Sequence, residues 1–395
     1  MRLKIEEIVN SNKEEIVKLT QELIKIPSES GKENPIVDFL AKKMTEIGFE
    51  VVIDKMGNVI GRIGKGSKII VIDGHVDTVA IGSERNWKFD PLGGEIYNDN
   101  IYGRGACDQK SGVASSLIAI KLLKELGMPK NITIYFVGSV QEEPYEGANW
   151  QHIFASTKLK PDVVLLTEPS NLAICRGQRG RVDIKVLVQG LSCHGAEPDE
   201  GENAVYKMNP IISEIEKLHH NLPVDETFGK GTITITDIQS KAVSLNAVPY
   251  SCTIHLDRRL GTADTLESAL EEIKRLKSVQ NAEAEVFVPD YTVESYTGYK
   301  QKIDGYYPTW LMEESHPAVL TATKAFEKQF NSIPKIITWR FSTNGVAIKG
   351  LKGIPTIGFG PGEERFAHTY EEHVKIEQLL KATQFYIAFL IEYAK

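Results

Sequence analysis

Apolar strand-like runs alternate with amphipathic helical stretches through the first 170 or so residues, and this alternation restricts the possible folds more than any other feature. Residues 13 to 25 and 35 to 47 carry apolar positions at helical spacing, with Ile26-Pro27-Ser28 and Gly48 marking their ends. Strands are expected at 50–53, 58–61 and 68–72, a buried helix at 112–126, and further strands at 132–137 and 163–166. That order predicts an α/β sandwich on a largely parallel sheet. In such folds the loops after strand C-termini carry the chemistry.

The pattern changes near residue 180. A strand at 181–188, a helix at 203–218, strands at 232–238 and 250–256, a helix at 266–276 and a strand at 284–288 give the β-α-β-β-α-β order of a small open-faced sandwich. From about residue 289 the α/β character returns, with a helix at 317–330 and a strand at 355–358. The expected organisation is a catalytic domain in two parts, 1–179 and 289–395, with a smaller domain of 180–288 inserted between them.

Composition narrows the function class. A net charge of −7 argues against nucleic acid or an anionic membrane surface as partner, and no apolar run approaches the ~18 residues a membrane span needs. The N-terminus reads as a charged amphipathic start without a signal-peptide core. Four cysteines, Cys107, Cys175, Cys193 and Cys252, are scattered without a CxxC pair, which points to the reducing cytoplasm.

Five segments end in residues suited to a borderline cation. After the run at 68–73 comes Gly74-His75-Val76-Asp77-Thr78, where an imidazole could bind a metal while a carboxylate two positions on holds the ring. Gly103-Arg104-Gly105-Ala106-Cys107-Asp108 places a carboxylate before a helix; Gln141-Glu142-Glu143 and Thr167-Glu168-Pro169 each follow a strand; Phe366-Ala367-His368-Thr369 follows Gly360-Pro361-Gly362. Two histidines, two terminal carboxylates and one bridging carboxylate can hold two ions ~3.5–4 Å apart, with Zn²⁺, Co²⁺ or Mn²⁺ as suitable metals. In an extended segment Glu142 and Glu143 diverge, so one can bind metal while the other faces the attacking water and moves its proton. Each motif alone has an ordinary surface or capping reading; it is their joint occurrence after successive strands that carries the argument. Gly61 to Ser67 resembles a phosphate loop only superficially and is expected to be a hairpin turn.

These residues, in this order, resemble the M20 family of metallopeptidases and deacylases, the group with carboxypeptidase G2, acetylornithine deacetylase and succinyl-diaminopimelate desuccinylase. Gly177 to Arg181, Leu191 to Gly195 and Trp339 to Gly345 look most like its selenium-metabolism-linked hydrolase branch. The resemblance implies a zinc-peptidase-like α/β sandwich with an inserted ferredoxin-like α+β lid or dimerisation domain, and a homodimer formed through that lid. It makes Asp108 the bridging ligand, with His75 and Glu168 on one ion and Glu143 and His368 on the other. Asp77 would orient His75, Glu142 would be the general base, and a non-proline cis peptide would follow Asp108.

In the lid, His194 matches a residue that reaches the partner subunit's site to stabilise an oxyanion. Asn246 and Arg259 match substrate contacts, and Asn344 and Gly362 are grouped with them. Arg259 suits a substrate carboxylate, and equally a surface ion pair. Asn344 departs from the family's frequent Asp, and Gln109-Lys110-Ser111 from its common Met-Lys-Gly. The expected activity is two-metal hydrolysis of an amide bond in a small N-acyl amino acid or peptide-like substrate with a free carboxylate, with Zn²⁺ the favoured metal. A dipeptidase or aminopeptidase, or a metal-binding regulatory protein without catalysis, are the alternatives. Glu168 leans against the aminopeptidase, whose relatives tend to have Asp there.

Overall fold

The computed structural model describes residues 1–395. Helices α1 (Arg2–Ser11), α2 (Lys13–Ile24) and α3 (Asn34–Ile47) come first, and then strands β1 (Glu50–Ile53), β2 (Val59–Gly64) and β3 (Lys68–His75). Next are α4 (Lys110–Gly127), β4 (Ile132–Ser139), α5 (Ala148–Ser156), β5 (Val163–Leu166) and β6 (Ile174–Gln178). The inserted unit contains β7 (Gly180–Gln189), α6 (Ala204–Asn221), β8 (Thr232–Lys241), β9 (Ser251–Leu260), α7 (Leu266–Lys274) and β10 (Glu285–Phe287). The chain returns through β11 (Tyr306–Tyr307), β12 (Trp310–Leu311), α8 (Pro317–Phe330), β13 (Ile336–Trp339), β14 (Thr356–Gly358) and α9 (Ile376–Tyr393).

The main sheet runs β1-β2-β4-β3-β5-β14-β6-β12, with β13 also beside β6. The sheet is mixed: β4, β3, β5 and β14 are parallel neighbours and β13 runs parallel to β6, whereas β1, β2 and β12 join antiparallel and β6 runs against β14. The central strands are buried on both faces and read as continuous apolar runs. The segment 61–67 is not a hairpin turn. Strand β4 lies between β2 and β3, so the chain crosses over it, and Gly66 passes so close to Asn131 and Ile132 that a Cβ there would collide with their backbone.

The inserted unit has sheet order β8-β9-β7-β10, the ferredoxin-like arrangement, with β11 added against β7. Strand alternation turns Val182, Ile184, Val186 and Val188 toward α6 and α7, while the facing polar positions look away. These residues form an apolar core of their own, with no member in common with the larger one. The return is spread along the chain. The hairpin of Asp290–Glu294 and Lys300–Asp304 sends Val293 and Ile303 into the large core before β11 pairs once more with the lid sheet. Strand β8 forms one edge of that sheet and is exposed along most of its length. No helix is long and apolar enough to cross a membrane.

Candidate metal centre

The C-terminal ends of the central parallel strands converge on one cavity of about 330 Å³. His75 is the last residue of β3, Glu142 and Glu143 follow β4, and Glu168 follows β5. His368 lies on the loop after β14, and Asp108 precedes α4. Helix α4 can approach because Gly112 packs on Thr167, and Gly74 on Thr167 and Val113, where any Cβ would collide. A cis peptide joins Asp108 to Gln109.

Asp108 sits between two histidines. His75 Nε2 is 2.9 Å from its Oδ1 and His368 Nε2 is 3.3 Å from its Oδ2. His368 Nε2 also lies 2.9 Å from Glu143 Oε2, and His75 Nε2 is 3.9 Å from both Glu168 Oε1 and Glu142 Oε2. Two groups able to hold an ion result: His75, Asp108 and Glu168, and Asp108, Glu143 and His368, each with its ligand atoms within 4.8 Å of one another. They share Asp108, and neither contains Glu142. His75 is 1% exposed and His368 51%, so the two positions differ sharply in access.

Electrostatics fit two cations. Asp108, Glu142, Glu143 and Glu168 crowd together, and the ion pairs they make are with the two histidines. Burial pushes Glu142 and Glu168 well above the usual carboxylate range; His75 opposes the shift and the neighbouring carboxylates add to it. Bonds to Asp108 and Glu143 raise His368 to about 10. Buried Oε1 atoms of Glu142 and Glu143 have no partner in the chain. Imidazole and carboxylate oxygen together are the donor set of borderline divalent ions.

Supporting residues fix these side chains. His75 Nδ1 donates to the backbone carbonyl of Asp77 at 3.0 Å, which leaves Nε2 free to coordinate. The Asp77 carboxylate stands farther off, at 3.6 Å from Nδ1, so orientation of the ring comes mainly from the main chain. That carboxylate instead accepts the N–H groups of Glu142 at 3.2 Å and Glu143 at 3.1 Å, and the Ser30 hydroxyl at 2.7 Å. The Glu142-Glu143 segment is a turn rather than extended chain, entered through Gln141 at φ +59°. Glu33, fully buried, accepts both the backbone and side-chain N–H of Gln141. Glu372 accepts the N–H groups of Cys107 and Asp108 and pairs with Arg104 at 2.6 Å. Sequence reasoning missed Ser30, Glu33 and Glu372. Only Glu372 had a signal, its closeness in sequence to His368.

The structure does not gather all the expected substrate residues. Arg259 lines the cavity, but Asp257 fills its fork at 2.7 and 2.9 Å. Asn344 is buried and spent on the fold: Nδ2 donates to Asp73 and Ser139, and Oδ1 accepts from Gly147. Gly362 is buried too, donates to Gln378 and packs on Cys107. Packing keeps both positions out of the cavity lining. His194 and Asn246 are exposed on the lid outside the cavity of their own chain, and His194 Nδ1 accepts from Ala196 N–H.

An α/β domain with a ferredoxin-like insert and a histidine–carboxylate centre at its strand ends defines a metal-dependent amidohydrolase. More particularly, residues 71–392 match the model of peptidase family M20/M25/M40, and the chain belongs to that family. It is 42% identical over 375 residues to the Escherichia coli K12 protein YgeY, covering 95% of this chain and 93% of that one. It is 25% identical over 397 residues to succinyl-diaminopimelate desuccinylase of Ehrlichia canis, covering 95% and 98%. Its fold is similar to the YXEP protein of Bacillus subtilis, a dinuclear metal-binding peptidase of the M20 family, with TM-score 0.70, 14% identity and coverage of 97% and 98%.

Proposed function

We propose that the protein hydrolyses the amide bond of a small N-acyl amino acid or peptide-like substrate bearing a free carboxylate, using two Zn²⁺ ions. His75 and Glu168 would hold one ion and Glu143 and His368 the other, with Asp108 common to both groups. The observation that carries this reading is the sharing of the two Asp108 oxygens between two ligand groups, beside a buried Glu142 that belongs to neither. When bound, the ions supply Lewis acidity for the carbonyl and lower the pKa of water. Glu142 takes the proton from the attacking water and returns it to the leaving nitrogen. Asp77 acts through the main chain, holding the turn that aims Glu142 and Glu143.

The lid of residues 180–288 completes the site from a second subunit in this reading. His194 and Asn246 lie outside their own chain's cavity, and the exposed edge strand β8 offers backbone groups for pairing with a second copy. The test is Glu142→Ala protein assayed for metal and for amine release from a panel of N-acyl amino acids and dipeptides. It should keep two ions per chain and lose most turnover. A variant near the wild-type rate ends the assignment.

A further inference from the structure

Arg181 is the second residue of β7, just past the crossing from the catalytic domain, and lines the same cavity as the groups able to hold ions. Alternation puts Arg181 and Asp183 on one face of the lid sheet, and the antiparallel register sets Arg259 opposite Arg181 and Asp257 opposite Asp183. The two arginines are held differently. Both oxygens of Asp257 fill the fork of Arg259. Arg181 makes one hydrogen bond, from Nη2 to Glu146 Oε2 at 3.0 Å; Asp183 stands 3.7 Å from Nη1, and the buried Nε has no partner in the chain. Its guanidinium lies over the Tyr307 ring, 4.2 Å from the centroid. Glu146 comes from the other domain, on the turn that also carries Glu142 and Glu143, and it too lines the cavity.

This arrangement is costly for the fold alone. Like charges set directly opposite on neighbouring strands repel, and a largely buried ion pair pays desolvation that a well-packed apolar pair avoids. Arg181 lines a small cavity whose apolar walls are Pro169, Phe341 and Ala367, and the protein leaves its guanidinium incompletely paired. We infer that Arg181 is the specificity-determining residue that reads the substrate's carboxylate. Glu146 is the internal carboxylate that holds the guanidinium and competes with the incoming one. The assignment takes its substrate class from the hydrolase reading, but its test does not depend on turnover.

The experiment is calorimetric titration of Zn²⁺-loaded protein, in a Glu142→Ala background, with N-acetylglycine and with its carboxamide. The acid should bind about tenfold or more tighter than the amide, since charge-assisted bonds to a guanidinium favour it by that order. Arg181→Gln should erase the preference and leave the amide unchanged. Glu146→Gln should tighten the acid several-fold and again leave the amide unchanged. Arg181→Lys, which keeps the charge without the fork, covers the case in which Arg181→Gln does not fold, and should lose most of the preference. The assignment is overturned by no preference in the parent, a preference that survives at position 181, or both substitutions weakening both probes alike, as a purely structural clamp would. Wild-type protein that cleaved no amide, while the Glu142→Ala protein bound the probes as expected, would end the hydrolase reading and leave this one standing.

Discussion

Glu372 Oε1 lies 3.1 Å from the backbone nitrogen of Asp108, and through that bond a buried carboxylate far along the chain sets the position of the residue common to both candidate ion groups. Its other oxygen holds Arg104, itself stacked 5.0 Å from the Trp87 ring, so the turn, the arginine and the tryptophan form one support. Removing one partner of a buried pair typically costs ~3–5 kcal/mol, because the other is left charged and unpaired. Glu372→Ala should lose stability on that order in denaturant unfolding and retain less metal. Unchanged unfolding and full metal content would dismiss this role.

The two ion positions should empty at different rates. His75 and Glu168 are buried, while half of His368 is exposed. During incubation with a chelator, metal content should fall in two phases, with activity lost in the first and restored by added Zn²⁺. His368→Ala should retain one ion per chain. A single phase, or an apoprotein as active as the loaded enzyme, contradicts the arrangement.

Glu33 gives the protein a pH signature. Burial, reinforced by Asp77, raises its carboxyl from 4.5 to about 7. A group raised in the folded state contributes stability that is complete below pH 4.5 and lost as pH climbs through about 7, because the unfolded chain has already released that proton. Glu33→Gln removes the titration. Unfolding measured in chelator at pH 5 and pH 8 should therefore show the variant gaining on wild type as pH rises. A stability difference that does not change with pH would refute the assignment.

Completion of the site across a dimer is tested by mixing. His194→Ala and Glu142→Ala are each expected to be nearly inactive alone. Co-refolded subunits should regain part of the activity, because some sites then combine an intact His194 with an intact Glu142. A mixture as inactive as its parents counts against the reading.

Much of the fold was legible because periodicity reports burial. The stripe of Ile36, Val37, Leu40 and Met44 marked α3, and the alternation of Val182, Ile184 and Val186 marked β7. Helix α9 escaped notice for the converse reason: it is buried nearly all round, from Leu379 through Phe385, Tyr386 and Phe389, and has no polar face to set the period. The residues that gather around Asp108 were readable because His75, Asp108, Glu143 and Glu168 fall close to a strand end or a helix start, with His368 on a loop beyond β14. The burial of Asn344 and Gly362 was not readable, because the direction of a loop residue depends on what packs above it, here Asp73 and Ser139 for one and Cys107 and Gln378 for the other. Glu33 and Ser30 carried no signal, since their partners lie more than forty residues away.

The two passages between the domains run side by side: Trp310 pairs with Gln178, Tyr307 with Arg181, and Gly180 donates to Thr309 at 2.9 Å. Two tethers so close together leave the smaller body one narrow axis about which to swing, like a door on a short hinge. The groups able to hold ions all sit on the frame, so rotation would change the width of the slot and carry Arg181 with the door, without disturbing those groups.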